Sequence, residues 1–269
     1  MMKLSEYQGK LAMVTGAGDG IGEMLARNLA AAGLTVAVQD IRQDAAERVA
    51  RDIGGSAFPI VFDVSDRDAC LAAAEAMRAH GPLNLLWINA GVGVGSAILT
   101  GKPSTIEWAL GVNVYGVIWT AQAFTPLMQD AEGSRHVGFT ASTAALRSPA
   151  GAFPLYATTK HATFAFADAL SAELEDQGIA ATILCPGLLN TKIWDGARAR
   201  PERFGGPRNM DPKISKQWDE AKTPALMWPE IEQSISQGGG YLVCATDDEG
   251  TQTAFEARAR AISSSIVQI

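Results

Sequence analysis

Short apolar runs alternate along this chain with longer stretches in which apolar residues recur every three or four positions. The runs LAMVT (11–15), LTVAVQ (34–39), SAFPIVF (56–62), NLLWIN (84–89), RHVGFTA (135–141), IAATILC (179–185) and GYLVCA (240–245) read as strands. Segments near 20–32, 43–53, 66–80, 104–129, 153–177, 223–237 and 248–265 carry helical spacing. A strand that is apolar at successive positions is buried on both faces, and parallel strands need helical crossovers. The pattern therefore predicts an α/β fold, a doubly wound parallel sheet of about seven strands with helices on both faces. No repeat breaks the alternation, and one domain over 1–269 is expected. The exception is 190–222, rich in glycine, proline and charge and too long for an ordinary connection, which is expected to form a lid.

Composition narrows the possible partners. A net charge of −7 opposes a polyanionic backbone, and the basic residues do not gather into a stripe, so nucleic acid is excluded as a partner. No stretch reaches the length of a membrane span, and MMKLSEYQGK has no apolar signal core. Three scattered cysteines, Cys70, Cys185 and Cys244, suit a reducing compartment, so a cytoplasmic protein is expected. The histidines and cysteines show no metal-ligand spacing, and no metal is expected.

TGAGDGIG (15–22) follows the first strand and opens the first helix. A glycine turn there lets backbone N–H groups and the positive end of a helix dipole meet a phosphate, as in a dinucleotide site. The spacing is G-x-x-x-G-x-G through Gly16, Gly20 and Gly22; Gly18 also falls in the turn. Taken alone, the octet also reads as a ligand-free turn. Asp40 ends the second strand about twenty residues beyond, where a carboxylate accepts from an adenosine ribose and repels a 2′-phosphate; alone it also reads as a helix cap. NAD is favoured over NADP, with Arg42 as the residue that argues the other way. Asp63 and the small Asn89-Ala90-Gly91 end the next two strands at the same edge.

Tyr156 and Lys160 lie four apart on one helical face. A phenol ionises near ~10, so a phenolate base at neutral pH needs stabilising positive charge, which an adjacent ammonium and an oxidised nicotinamide ring both offer.

TGAGDGIG, Asp40, DV at 63–64, NAG at 89–91, NVYG at 113–116, TAST at 140–143, YATTK at 156–160 and PGLLNT at 186–191 together resemble the short-chain dehydrogenase/reductase family, in order and spacing over nearly the whole chain. The resemblance implies a Rossmann-like fold and an enzyme that moves a hydride between NAD and a small-molecule alcohol or ketone. It implies that Tyr156 is the general acid/base, that Lys160 lowers its pKa and holds the nicotinamide ribose, and that Ser142 bonds the reacting oxygen. Asn113 would kink its helix and tie Lys160 to a proton-relay water. Gly16, Asp19, Gly20, Ile21, Gly22, Asp40, Ile41, Asp63, Val64, Asn89, Ala90, Gly91, Pro186, Gly187, Leu189 and Thr191 would line the cofactor, Leu189 and Thr191 at its carboxamide. Two departures stand out. Ile88 precedes Asn89 where the family commonly doubles the asparagine, and Ser142 lies one residue further from Tyr156 than usual, which puts Thr143 at the common distance as the alternative.

The substrate is less legible. Val92, Val94, Leu146, Phe153, Trp194, Phe204, Met210 and Trp218 are candidate walls for a bulky apolar or aromatic secondary alcohol, with Val94, Phe153 and Trp194 foremost beside Ser142 and Tyr156. The lid weakly resembles bacterial enzymes that oxidise benzylic alcohols of lignin-derived aryl ethers. Arg198, Arg200, Arg203 and Arg208 instead suit an acidic substrate or a solvated face. An α/β methyltransferase or a silent dinucleotide sensor are the rival readings. Helices 104–129 and 153–177 resemble the family's interface pair, so a homodimer or homotetramer is expected.

Overall fold

The computed structural model describes residues 4–148, 153–209, 218, 220–244 and 250–265. Its strands are β1 (Leu11–Val14), β2 (Thr35–Asp40), β3 (Ala57–Val61), β4 (Leu83–Ile88), β5 (His136–Thr140), β6 (Ala180–Pro186) and β7 (Gly239–Cys244). They form one parallel sheet in the order β3-β2-β1-β4-β5-β6-β7. The helices are α1 (Gly20–Ala31), α2 (Gln43–Ile53), α3 (Arg67–Met77), α4 (Pro103–Leu110), α5 (Gly116–Phe124), α6 (Pro154–Glu175), α7 (Trp228–Gln237) and α8 (Gly250–Ser263). The expected doubly wound sheet is present.

Alternation along the strands divides the core. Leu11 and Met13 of β1 join Leu83, Leu86 and Phe139 under α3, α5 and α6. Ala12 and Val14 join Val36, Val38, Leu85 and Trp87 under α1, α2 and α7. The glycine in the middle of β5 has a packing cause, because a Cβ on Gly138 would lie 2.3 Å from the Trp87 ring. Trp87 in turn donates its indole N–H to Thr140 Oγ1 at 3.0 Å. Among the described residues, no helix is long and apolar enough to cross a membrane.

The helix expected over 104–129 is interrupted. A π-turn, Gly111–Tyr115, separates α4 from α5, and a 3-10 turn, Thr125–Met128, follows α5. The expected start of the helix at 223 is likewise a 3-10 turn, Pro224–Met227, with α7 beginning at Trp228. Within the expected lid, the chain makes 3-10 turns at Ile193–Ala199 and Glu202–Phe204, and a bridge from Leu189 to Lys222 ties the ends together. Met210 lies outside the described residues.

Because β1 sits between β2 and β4, the connections leaving its two neighbours diverge at the carboxyl edge and open a crevice there.

Candidate active site

The crevice is a cleft of about 490 Å³ running from Gly16, Asp40 and Asp63 to Tyr156, Lys160 and Trp194. The glycine turn at one end is dictated first by its own packing. A Cβ on Gly16 would stand 2.9 Å from Ala90 Cα, one on Gly18 2.5 Å from Asp40 Oδ2, and one on Gly22 2.1 Å from the Gly16 carbonyl oxygen. Gly16 and Gly20 also hold φ of 61° and 56°. Gly20 and Ile21 face the open cleft, with Thr191 packed over Gly20. Thus protein atoms fill the space a side chain would take at 16, 18 and 22, while Gly16, Gly20 and Ile21 line the open cleft at the start of α1.

Asp40 is buried and receives the Gly18 N–H on Oδ2 (3.0 Å) and the Arg42 N–H on Oδ1 (2.9 Å). Burial pushes its carboxyl upward, and those two N–H groups with the Arg42 charge oppose the push. The Arg42 guanidinium folds back, 3.8 Å from Asp40 and 3.9 Å from Asp19. Asp19 also meets Arg198 at 3.0 Å and Lys192 at 3.8 Å, so three cations converge on one carboxylate beside the turn. Asp63 accepts from Ser65 and is clasped by Arg203 at 2.7 Å. Ile41 and Val64 line the same rim.

Asn89 joins β4 to β1. Thr15 Oγ1 accepts the N–H groups of Asn89 and Ala90 at 2.8 and 3.0 Å, and Asn89 Nδ2 donates to the Thr15 carbonyl at 3.0 Å. A Cβ on Gly91 would lie 3.4 Å from both Asn113 Oδ1 and Lys160 Nζ. Asn113 sits in the π-turn, where its amide accepts the Val92 N–H (2.8 Å) and donates to the Val92 carbonyl (2.9 Å) and Thr159 Oγ1 (3.0 Å). Its own carbonyl accepts from Thr163 Oγ1 at 2.6 Å. The extra residue in the helix thus locks α4–α5 against both the β4 loop and α6.

Proline at the first turn of α6 leads into Tyr156 and Lys160. Burial raises the Tyr156 phenol to about 12, and the nearby Ser142 hydroxyl opposes the rise. Lys160, buried, donates to the Thr140 carbonyl at 3.0 Å and stands 5.9 Å from the centre of the Tyr156 ring. Burial brings its ammonium down to about 8. Ser142 ends β5's loop in extended backbone and accepts the Ala144 N–H at 3.1 Å. Ser142 and Thr143 both line the cleft, and Ser142 is the one whose hydroxyl acts on the Tyr156 phenol. Pro186, Gly187, Leu189 and Thr191 form the opposite wall.

Trp194 covers the end of the cleft at Tyr156. Its ring lies 4.5 Å from Phe153, 5.2 Å from Tyr156 and 5.0 Å from Trp218 between centroids. The indole N–H groups of Trp194 and Trp218 are buried without a partner. Gly93 is small because a Cβ there would meet the Trp194 ring at 2.5 Å. Val94 differs from expectation: residues 89–92 line this cleft, and from Gly93 to Ala97 the loop lines a neighbouring cavity instead. Phe204 packs on Gly111 instead of lining the cleft, and Leu146 packs on the core.

Sequence reasoning passed over several residues. Gln39 accepts the Gly16 N–H (3.1 Å) and donates to the Phe62 carbonyl (2.7 Å), bracing two loops at the edge. Its signal was a polar side chain next to the strand-ending acid. Thr15 and Ser65 were likewise visible only as small polar residues after strands. The pairings of Arg198 with Asp19 and Arg203 with Asp63 span 179 and 140 residues and leave no local trace.

The sequence model of the family described as short chain dehydrogenase matches residues 10–202. The chain is 31% identical over 205 residues to galactitol 2-dehydrogenase (L-tagatose-forming) of Cereibacter sphaeroides, covering 76% of this chain and 81% of that protein. It is 29% identical over 208 residues to a C alpha-dehydrogenase of Sphingobium sp., covering 75% and 68%. A probable oxidoreductase of Mycobacterium tuberculosis is 36% identical over 187 residues, but the chain spans about a third (31%) of that protein's length. Among solved structures, a short chain dehydrogenase/reductase from Burkholderia phymatum in complex with NAD superposes with a TM-score of 0.86 at 26% identity, covering 98% of this chain and 99% of that one. The fold, the sequence motifs and these likenesses agree: the chain belongs to the short-chain dehydrogenase/reductase family of oxidoreductases.

Proposed function

We propose that the protein is an NAD-dependent dehydrogenase that interconverts a bulky, aromatic secondary alcohol and its ketone. The observation that carries the reading is the convergence of Ser142, Tyr156 and Lys160 at one end of a cleft whose other end is Asp40. The residues fit a dinucleotide. Gly20 and Ile21 present the start of α1 to its phosphates, and Asp40 stands where a ribose hydroxyl would donate. Arg42 is folded onto two carboxylates, so its charge is spent within the protein, which supports NAD over NADP. Bound NAD supplies the hydride acceptor and, in its oxidised form, a positive charge near the phenol.

The chain's residues would do the rest. Ser142 holds the substrate oxygen beside Tyr156, and Tyr156 takes its proton in oxidation and returns it in reduction. Lys160 orients the ribose and offers positive charge to the phenolate, while Asn113 fixes the β4 loop and α6 relative to one another. The aromatic wall of Phe153, Trp194 and Trp218 suits an aryl group. The two unpartnered indole N–H groups suit ether or hydroxyl oxygens on it. The likeness to a C alpha-dehydrogenase supports a benzylic alcohol, and the wall argues against a polyol of the kind named for the galactitol enzyme. The complete Ser142, Tyr156, Lys160 and Asn113 set favours an enzyme over a silent sensor.

We further read α5 and α6 as the surface of a homodimer or homotetramer. Phe164, Phe166 and Leu170 remain only partly buried along α6, and Tyr115 is exposed ahead of α5. Sedimentation giving a monomer at micromolar protein would overturn that part. The activity is tested by supplying NAD and NADP in parallel with benzylic, aliphatic, steroidal and sugar alcohols and following absorbance of the reduced nicotinamide. Turnover of benzylic alcohols with NAD is expected; no turnover with any alcohol would overturn the reading.

A further inference from the structure

The four arginines of the segment after β6 separate into two pairs. Arg198 is neutralised by Asp195 and Asp19, and Arg203 by Asp63. Arg200 and Arg208 have no carboxylate partner among the described residues, and they line one cavity. That cavity, about 430 Å³, lies across the β4 loop from the catalytic cleft. It is walled by Gly93–Ala97, Thr100, Lys102, Thr105 and Trp108, and no carboxylate lines it among the described residues.

Arg200 is 3% exposed. Its guanidinium lies 5.0 Å over the Trp108 ring, and its two terminal nitrogens make only long bonds to Thr105 Oγ1 (3.4 Å) and Ser104 Oγ (3.2 Å). Its Nε is buried without a partner. Arg208 comes to it rather than away: both guanidinium groups lie within 4 Å of the point where a Gly205 Cβ would stand, at 3.8 and 3.5 Å, with Ser104 Oγ at 3.7 Å. Their mutual repulsion adds to burial in lowering the Arg200 pKa. Glu202, the nearest acid in sequence, folds over Gly206 instead. Lys102 adds a third cation at the amino end of α4, which no side chain caps. The buried Arg200 guanidinium without a counter-charge is costly, and the exposed Arg208 beside it adds repulsion that an anion between them would offset.

We propose that this cavity binds a small oxyanion, a carboxylate or phosphate group, between Arg200, Arg208 and Lys102. The donor set suits such a group: two guanidinium forks and an ammonium, with the Ser104 and Thr105 hydroxyls already turned toward Arg200. Trp108 lines both this cavity and the catalytic cleft, so an anion here sits against the wall of the substrate site. The group is carried either by the substrate itself or by a free small anion.

The test is a thermal-unfolding titration of the NADH-loaded protein with inorganic phosphate and, separately, acetate, against sodium chloride at matched ionic strength. NADH fills the dinucleotide's own phosphate positions. A rise of about 3 °C at tenfold excess over the dissociation constant is expected with phosphate or acetate beyond the chloride control. Arg200→Gln also removes the Trp108 stacking, so the deciding variant is the double change Arg208→Gln and Lys102→Gln at the cavity rim, which is expected to abolish the rise. A rise equal to that with chloride overturns the proposal, as does one retained in the double variant or seen only without NADH. Failure of NADH itself to bind would count against the proposed function and not against this cavity. In steady-state assays, phosphate that raises KM severalfold for a carboxylate-bearing alcohol and not for a neutral one assigns the anion to the substrate. A thermal rise with both KM values unchanged assigns it to a free anion.

Discussion

Lys160 and Tyr156 face each other ring-to-ammonium: the Lys160 nitrogen lies 5.9 Å from the centre of the Tyr156 ring, and its hydrogen bond goes to the Thr140 carbonyl at 3.0 Å. The protein by itself therefore resists forming the phenolate. Burial drives the tyrosine up to about 12 and the lysine down to about 8, each toward its neutral form. Positive charge brought by an oxidised nicotinamide acts on the phenol in the direction the fold does not.

A pH dependence follows from the sign. Oxidation needs the phenolate and reduction needs the phenol, so kcat/KM for alcohol oxidation is expected to rise from pH 7 toward pH 10, and that for ketone reduction to fall over the same interval. Initial rates in both directions with saturating cofactor check this. An oxidation profile that is flat across the interval counts against Tyr156 as the base.

Lys160→Met tests the cost of the buried ammonium. The folded-state value near 8 lies below the usual 10.5, so the unfolded chain binds more protons between those limits. Stability of the natural protein should therefore rise with pH from about 8 to about 10.5. At pH 7 the variant is expected to be more stable by about 1–3 kcal/mol, after loss of the Thr140 bond, and to have lost most activity. Urea unfolding at pH 7 reads the first part and steady-state turnover the second.

His136 predicts acid lability of the sheet. It is fully buried in β5, shares Nε2 with Thr182 Oγ1 at 3.0 Å, and has no partner for Nδ1. Burial lowers its pKa from 6.5 to about 4. The neutral ring is thus preferred on folding, and stability is lost as pH falls from about 6.5 to about 4, by up to ~3 kcal/mol for a shift of that size. In His136→Gln, denaturant midpoints across this interval should fall less steeply by that component.

Asp40→Ala is expected to weaken NAD and relieve repulsion of a 2′-phosphate, moving the NAD/NADP ratio of kcat/KM by tenfold or more toward NADP. A ratio left unchanged would show that Asp40 serves only its bonds to Gly18 and Arg42.

Much of this was legible in the sequence because the strands are buried on both faces, as β1, β4 and β5 are at every position, and their ends fall within a residue or so of the apolar runs. The break at Asn113 was not visible as a π-turn: apolar spacing continues through it, and the cause is the Val92 backbone, twenty-one residues away. The glycine turn was recognisable, but what excludes a side chain at 16, 18 and 22 is Ala90, Asp40 and the Gly16 carbonyl, contacts that the local pattern does not show. The arginines of the segment after β6 look alike in sequence; partners on β1's turn and after β3 distinguish them. Val94 follows the strand end closely enough in sequence to suggest the cleft, but the loop leaves the cleft after Val92.

The most direct test of redox chemistry at Tyr156 pairs turnover with cofactor binding in Tyr156→Phe. The account predicts that NADH still binds, by fluorescence titration, within about threefold of the natural protein, while alcohol oxidation falls by about 10³ or more. A phenylalanine variant that turns over alcohol at close to the natural rate would contradict it.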